Sequence, residues 1–190
     1  METLRKGNGR ANALKAEIVV RVEEAVGAPS EVVYDLLADV RSHVEWGGRM
    51  QPKKTFRLLS IDAPEAPASV GTEFSSTGAD GMGTFADSSV VTEASRPELF
   101  EFVTEARLST KKKAGVIEWT LVHRYEIVPE GEGCRLSYTI RTIRISELRG
   151  PLGLFNVPGL RALLTSVARS NVRRGLRNLT RVAEQRAAAR

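Results

Sequence analysis

From residue 17 the chain alternates. In EIVVRVEEA, Ile18, Val20 and Val22 fall on one side of an extended backbone and Val19, Arg21 and Glu23 on the other, as a half-buried strand requires. The next stretch, GAPSEVVYDLLADV, changes period. Pro29 and Ser30 stand at a helix entrance, Glu31 falls in the first turn where the dipole favours an acid, and Val32, Val33, Leu36 and Leu37 recur at helical spacing. A second short helix is predicted over RSHVEW, stopped by Gly47 and Gly48. Six extended segments follow, over about 51–61, 71–78, 84–94, 98–109, 115–129 and 133–146, separated by DAPEAPAS, GADGMG, SRPE, TKKKAG and PEGEG. With no long helix between them, they pair antiparallel as the hairpins of a meander. From Leu160 to about Ala183 apolar residues return at steps of three and four, at 160, 163, 164, 167, 168, 172, 176, 179, 182 and 183, which predicts one long helix. Arg169, Arg173, Arg177 and Arg181 occupy its other side in a step of four.

That order predicts an α+β fold: a curved, seven-stranded antiparallel sheet, two short helices after the first strand, and a long C-terminal helix lying in the concave face. A helix is only about 10 Å wide, so it leaves part of such a hollow unfilled, and the remainder is a pocket. The 190 residues suit one domain, placed at 17–184, with 1–16 expected to be disordered and 185–190 to fray.

Composition narrows the classes. With 42% apolar and 27% charged residues the chain reads as an ordinary globular protein. No apolar run approaches the roughly 20 residues of a membrane span, and METLRKGNGRANALKAE lacks the apolar centre of a signal peptide, so a cytoplasmic location is expected. The single cysteine, Cys134, excludes an intrachain disulfide. With two histidines and no cluster of partner ligands, neither a metal nor a cofactor is expected. The net charge of +5 is displaced to one end: residues 161–190 carry eight arginines against Glu184, a local +7, which leaves 5 − 7 = −2 for the rest. Arg169, Arg173, Arg177 and Arg181 form either a solvated face or a surface for anionic membrane. No nucleic-acid-reading motif accompanies them.

The strand over 115–129 poses the chemical question. Its inward set, Ile117, Trp119, Leu121, His123, Tyr125 and Ile127, mixes an imidazole and a phenol into an apolar row, and the next strand adds Tyr138 between Leu136 and Ile140. Burying such groups unpaired costs about 1–3 kcal/mol each, so they need partners, and a ligand cavity supplies them. Phe100, Phe102 and Thr104 extend the lining, as do Phe85, Phe74 and Met82. Trp46 is expected to close the narrow end, and Phe155, in the glycine- and proline-broken loop GPLGLFNVPG, to gate the mouth or touch membrane. Tyr34 fits either pocket or surface, and the pattern leaves His43 exposed. No inward pair of carboxylates and no inward arginine is predicted.

Three stretches, VEEAVGAPSEVVYDLLADVRSHVEW, WTLVHRYEIVPEGEGCRLSYTI and the terminal amphipathic helix, resemble the START-related polyketide cyclase/dehydrase and lipid-transport superfamily, with the helix-grip fold also seen in the birch-pollen-allergen (Bet v 1-like) type. The resemblance covers about residues 17–184 and rests on a pattern of Ala-Pro, helix, Asp and Trp followed by a proline-punctuated meander. It implies a hydrophobic small-molecule pocket between sheet and helix, in a family that includes carriers, sensors and cyclases. Three functions stay open. The first is binding or transport of a lipid or polyketide-like molecule through Trp119, His123, Tyr125, Tyr138, Thr104, Phe102, Phe85, Trp46 and Phe155. The second is a polyketide aromatase/cyclase in which His123 and Tyr138, with Tyr125 and Thr104, polarise a carbonyl and shuttle protons. The third is an interaction module that docks through the basic helix.

Overall fold

A computed structural model describes residues 17–53, 55–110, 116–146 and 156–190. β1 (Ile18–Val26) buries Ile18, Val20 and Val22 and exposes Val19, as its alternation requires. α1 (Ser30–Ala38) turns Val32, Val33, Leu36 and Leu37 into the core. The second short helix is two pieces, a 3₁₀ turn over Val40–Ser42 and a π-helical turn over Glu45–Arg49. β2 (Arg57–Asp62), β3 (Glu73–Ala79), β4 (Gly83–Ser95), β5 (Leu99–Thr110), β6 (Val116–Glu130) and β7 (Gly133–Ile145) form the meander. Gly131, at φ 60°, supplies the left-handed residue of the tight β6–β7 turn. α2 (Pro158–Ala188) closes the chain.

The seven strands form one antiparallel sheet in the order β1-β7-β6-β5-β4-β3-β2, so β1 crosses to pair with the last strand while the rest pair with their chain neighbours. The convex face carries a lattice of charges: Arg124 meets Glu93, Glu101 and Glu126 at 3.1, 3.0 and 3.3 Å, and Arg144 meets Glu105 at 3.3 Å. Water bathes most of that side, although one row on it, Val90, Val103, Val122 and Val19, is apolar apart from Arg141.

Two boundaries differ from the sequence reading. β2 begins at Arg57, because the chain before it makes a turn in which the Thr55 N–H donates to the Pro52 carbonyl at 3.1 Å. α2 runs to Ala188, so residues expected to fray continue the helix, as alanine, arginine and glutamine favour. Among the described residues no helix is long and apolar enough to cross a membrane.

The apolar interior is divided. One cluster packs α1 and the second half of α2, through Leu176, Leu179, Val182 and Ala183, against Val22, Phe100, Ile127 and Leu136. The other, at the opposite end of the sheet, is Ile18, Leu108, Ile117 and Ile145, with Phe85 and Trp119 against it. Toward the start of α2 the predicted apolar stripe is uncovered: Leu160, Leu163 and Val167 are exposed. The helix therefore plugs one end of the hollow. Phe100 belongs to the first cluster and does not line the space between the two; it meets Tyr34 edge-on at 6.1 Å. Tyr34 is accordingly a core residue, facing neither pocket nor surface.

The short helical turns are held down by a close approach. A Cβ on Gly48 would sit 2.2 Å from the Leu58 carbonyl oxygen, a distance no side chain tolerates. Gly48→Ala is expected to lower stability by about 1–3 kcal/mol, read as a drop in the urea midpoint.

Candidate ligand cavity

The cross-strand register lays the concave face out in rows. One row runs Ser76, Asp87, Ala106, Trp119 across β3 to β6. The next runs Phe74, Ser89, Thr104, Leu121, Thr142, Ile18 across β3 to β1. A third runs Val91, Phe102, His123, Ile140, Val20. Tyr125 and Tyr138 stand opposite one another in the row after that. Between these rows, the short helical turns and the middle of α2 lies a cavity of about 420 Å³. Ala168, Val172, Gly175 and Leu176 of α2 form its roof, and Gly175 lets Gln51 approach to 3.2 Å of where its Cβ would stand.

The polar groups on this floor are paired across strands. Ser89 and Thr104 share a hydroxyl hydrogen bond of 2.9 Å. His123 Nδ1 and the Tyr138 hydroxyl are 2.7 Å apart. One of their protons fills that bond and one N–H or O–H remains, whichever group is the donor. Flat rings stack alongside: Phe102 on His123 at 4.5 Å and 12°, Tyr125 on Tyr138 at 4.3 Å and 7°. Burial dominates the titration of these groups. It pulls His123 down to about 3, with the nearby His43 adding to the effect. It pushes the phenols of Tyr125 and Tyr138 up. The imidazole is neutral and the phenols protonated across the ordinary pH range.

Eight of the nine sequence-predicted ligand residues meet at this cavity: Trp119, His123, Tyr125, Tyr138, Thr104, Phe102, Phe85 and Trp46. Phe74 and Met82 join them. Phe155 and most of GPLGLFNVPG lie outside the described residues, as do 1–16 and the KKKAG of the β5–β6 turn.

Among the wall residues that escaped the sequence reading, His43, Asp80 and Asp87 bear titratable groups. His43 was expected at the surface; it is buried, its ring 4.7 Å from Trp46, and it lines the cavity. Its Nε2–H donates to the Leu37 carbonyl at 2.8 Å, and burial pulls its pKa down to about 4. The pattern concealed this because a 3₁₀ turn followed by a π turn advances side chains by other angles than an α-helix does. Asp80 and Asp87 correct the expectation that no two carboxylates face inward. Asp80 shapes a turn: its Oδ1 accepts from the N–H groups of Met82 and Gly83 at 2.7 and 3.1 Å. Asp87 is different. Its Oδ2 accepts a long 3.5 Å bond from Ser76 Oγ, its buried Oδ1 has no partner among the described residues, and burial raises its pKa to about 6. The signal was present in β4, since Asp87 lies two residues beyond Phe85 and so on the same face. Two wall atoms share its condition: the buried indole nitrogens of Trp46 and Trp119 also lack partners.

The architecture has known counterparts. The chain is similar in structure to protein CV1439 from Chromobacterium violaceum (17% identity, 88% of this chain and 97% of that one, TM-score 0.58). It is likewise similar to an uncharacterized protein from Rhizobium leguminosarum (14% identity, 91% and 97%, TM-score 0.62) and to Ara h 8.0201 (10% identity, 92% and 100%, TM-score 0.55). This is the helix-grip fold. At such identities the likeness concerns architecture alone. No protein-family model and no curated protein matches the chain.

On the surface of α2, Arg173 and Arg177 both reach Glu24 of β1, at 3.5 and 3.1 Å. Half of the arginine row is thus engaged in fixing the helix to the sheet edge. Arg169 and Arg181 are exposed and make no ion pair among the described residues.

Proposed function

We propose that the protein binds, and by release elsewhere transports, a single hydrophobic small molecule of lipid or polyketide-like character in the cavity between sheet and α2, as a member of the START-related superfamily. The observation that supports this best is the divided core: two apolar clusters with about 420 Å³ between them, floored by paired hydroxyls, an imidazole and stacked rings. Packed interiors do not leave such spaces, and cavities of this size and lining suit a ligand with a few polar groups on an apolar skeleton. Native mass spectrometry of freshly purified protein tests the reading. An apolar adduct that leaves on denaturation is the expected result; a bare mass, together with no uptake of 2-naphthol by calorimetry, contradicts it.

The His123–Tyr138 pair favours a second reading, an aromatase/cyclase whose remaining proton polarises a ketone. Against it, an imidazole titrating at about 3 is a poor base at neutral pH, and a phenol held protonated by burial is a poor acid. Turnover of a poly-β-ketone that disappears in His123→Ala and Tyr138→Phe would favour this reading. Docking of the arginine row on anionic membrane is a separate proposal. It predicts that co-sedimentation with phosphatidylserine vesicles is lost in Arg169→Glu with Arg181→Glu, the two positions free of ion pairs among the described residues.

A further inference from the structure

The cavity wall leaves two unlike needs side by side. Asp87 Oδ1 is a buried acceptor and Trp119 Nε1 a buried donor, and neither has a partner among the described residues. They belong to the same row of the sheet, with Ala106 between them as the cross-strand neighbour of both. Adjacent strands lie about 4.8 Å apart, so the flanking backbones are separated by about 10 Å, and Ala106 contributes only a methyl group to the gap. The row thus forms a notch over Ala106 between a carboxylate residue on β4 and an indole residue on β6, both of which line the cavity. Phe85 flanks it, 6.3 Å from Trp119, and Phe56 stands edge-on to Phe85 at 5.2 Å. Aromatic walls of this kind hold flat apolar skeletons well.

We infer that the ligand carries a hydroxyl group which sits in this notch, donating to Asp87 Oδ1 and accepting from Trp119 Nε1. Only an amphoteric group answers both needs. A ketone accepts but sets its lone pairs against the carboxylate, an ammonium donates but leaves the indole unpaired, and a methyl does neither. A hydroxyl oxygen at about 2.8 Å from each atom bridges about 5–6 Å, less than the roughly 10 Å between the flanking strands. Among the described residues no cation offers the carboxylate an ion pair, so its stabilisation falls to the guest. The ligand class is therefore a ring-bearing or otherwise flat apolar alcohol or phenol.

This inference rests on the cavity-binding reading, and matched probes separate the two. 2-Naphthol, 2-methylnaphthalene and 2-(aminomethyl)naphthalene share a skeleton and differ at one group. Calorimetry on the whole protein is expected to show 2-naphthol binding about ten-fold more tightly than 2-methylnaphthalene, as a hydrogen bond to a charged group implies. That preference should fall to within two-fold in Asp87→Ala and shrink in Trp119→Phe, with a near-native urea midpoint certifying both variants as folded. Equal binding of naphthol and methylnaphthalene overturns the hydroxyl assignment and leaves the cavity reading standing. Tighter binding of the aminomethyl probe overturns it in favour of an amine ligand. Binding of none of the three overturns both.

Discussion

Acidification from pH 7 to pH 4 is expected to cost the protein roughly 4 kcal/mol of folding stability, the net of a larger loss through its two histidines and a partial gain at Asp87. Each is buried and neutral in the fold, at about 4 for His43 and about 3 for His123, against 6.5 when free. A lowered histidine pKa means that the unfolded chain binds the proton first, so stability is intact above about 6.5 and drains as pH falls toward the folded value. Each residue contributes about 1.4 kcal/mol per pH unit over that window. Asp87 works the other way. Its pKa is raised from 3.8 to about 6, so the folded state takes up its proton first and gains stability as pH falls from 6 to 4. Two histidine slopes less one aspartate slope leave a net loss of about 1.4 kcal/mol per unit between pH 6 and 4. Urea midpoints measured along that range read it directly. In His123→Phe one histidine and one aspartate remain, and the profile between pH 6 and 4 should flatten; an unchanged slope would mean that His123 is not held neutral by burial.

The second large effect concerns occupancy. Ala106→Trp is expected to weaken binding of 2-naphthol by roughly 100-fold, the equivalent of about 3 kcal/mol, with a stability change of only about 1 kcal/mol. Ala106 is buried, lines the cavity and lies centrally in its row, so a large ring there occupies space the guest needs while meeting little protein. In a tightly packed core the same change would unfold the molecule. Calorimetry paired with urea unfolding separates these cases: lost binding with a near-native midpoint supports a ligand cavity, and undiminished binding places the probe elsewhere.

What could be read from the amino-acid order was whatever obeys a period. The alternation in β1 and in β6, and the three–four spacing at Leu176, Leu179 and Val182, named the elements and the faces they bury. Because inward residues of a strand are fixed by parity, the amino-acid order alone puts Trp119, His123 and Tyr125 on one face, and Tyr138 follows from its own strand. His43 was hidden because 3₁₀ and π geometry breaks the helical period. Asp87 was legible by the same parity as Phe85 but stood against the habit of reading acids as solvated. The uncovered Leu160, Leu163 and Val167 show the limit of amphipathicity: a stripe says which side of a helix can bury, not how far along its length the sheet extends.

The chain has two tryptophans, and both line the cavity. A ¹⁵N-correlation spectrum therefore carries two indole N–H signals, each reporting from one wall. Titration with 2-naphthol is predicted to move both signals together, with a single dissociation constant that matches calorimetry, while amides of the convex charge lattice stay in place. A probe that binds by calorimetry yet leaves both indole signals where they were would contradict an internal binding site.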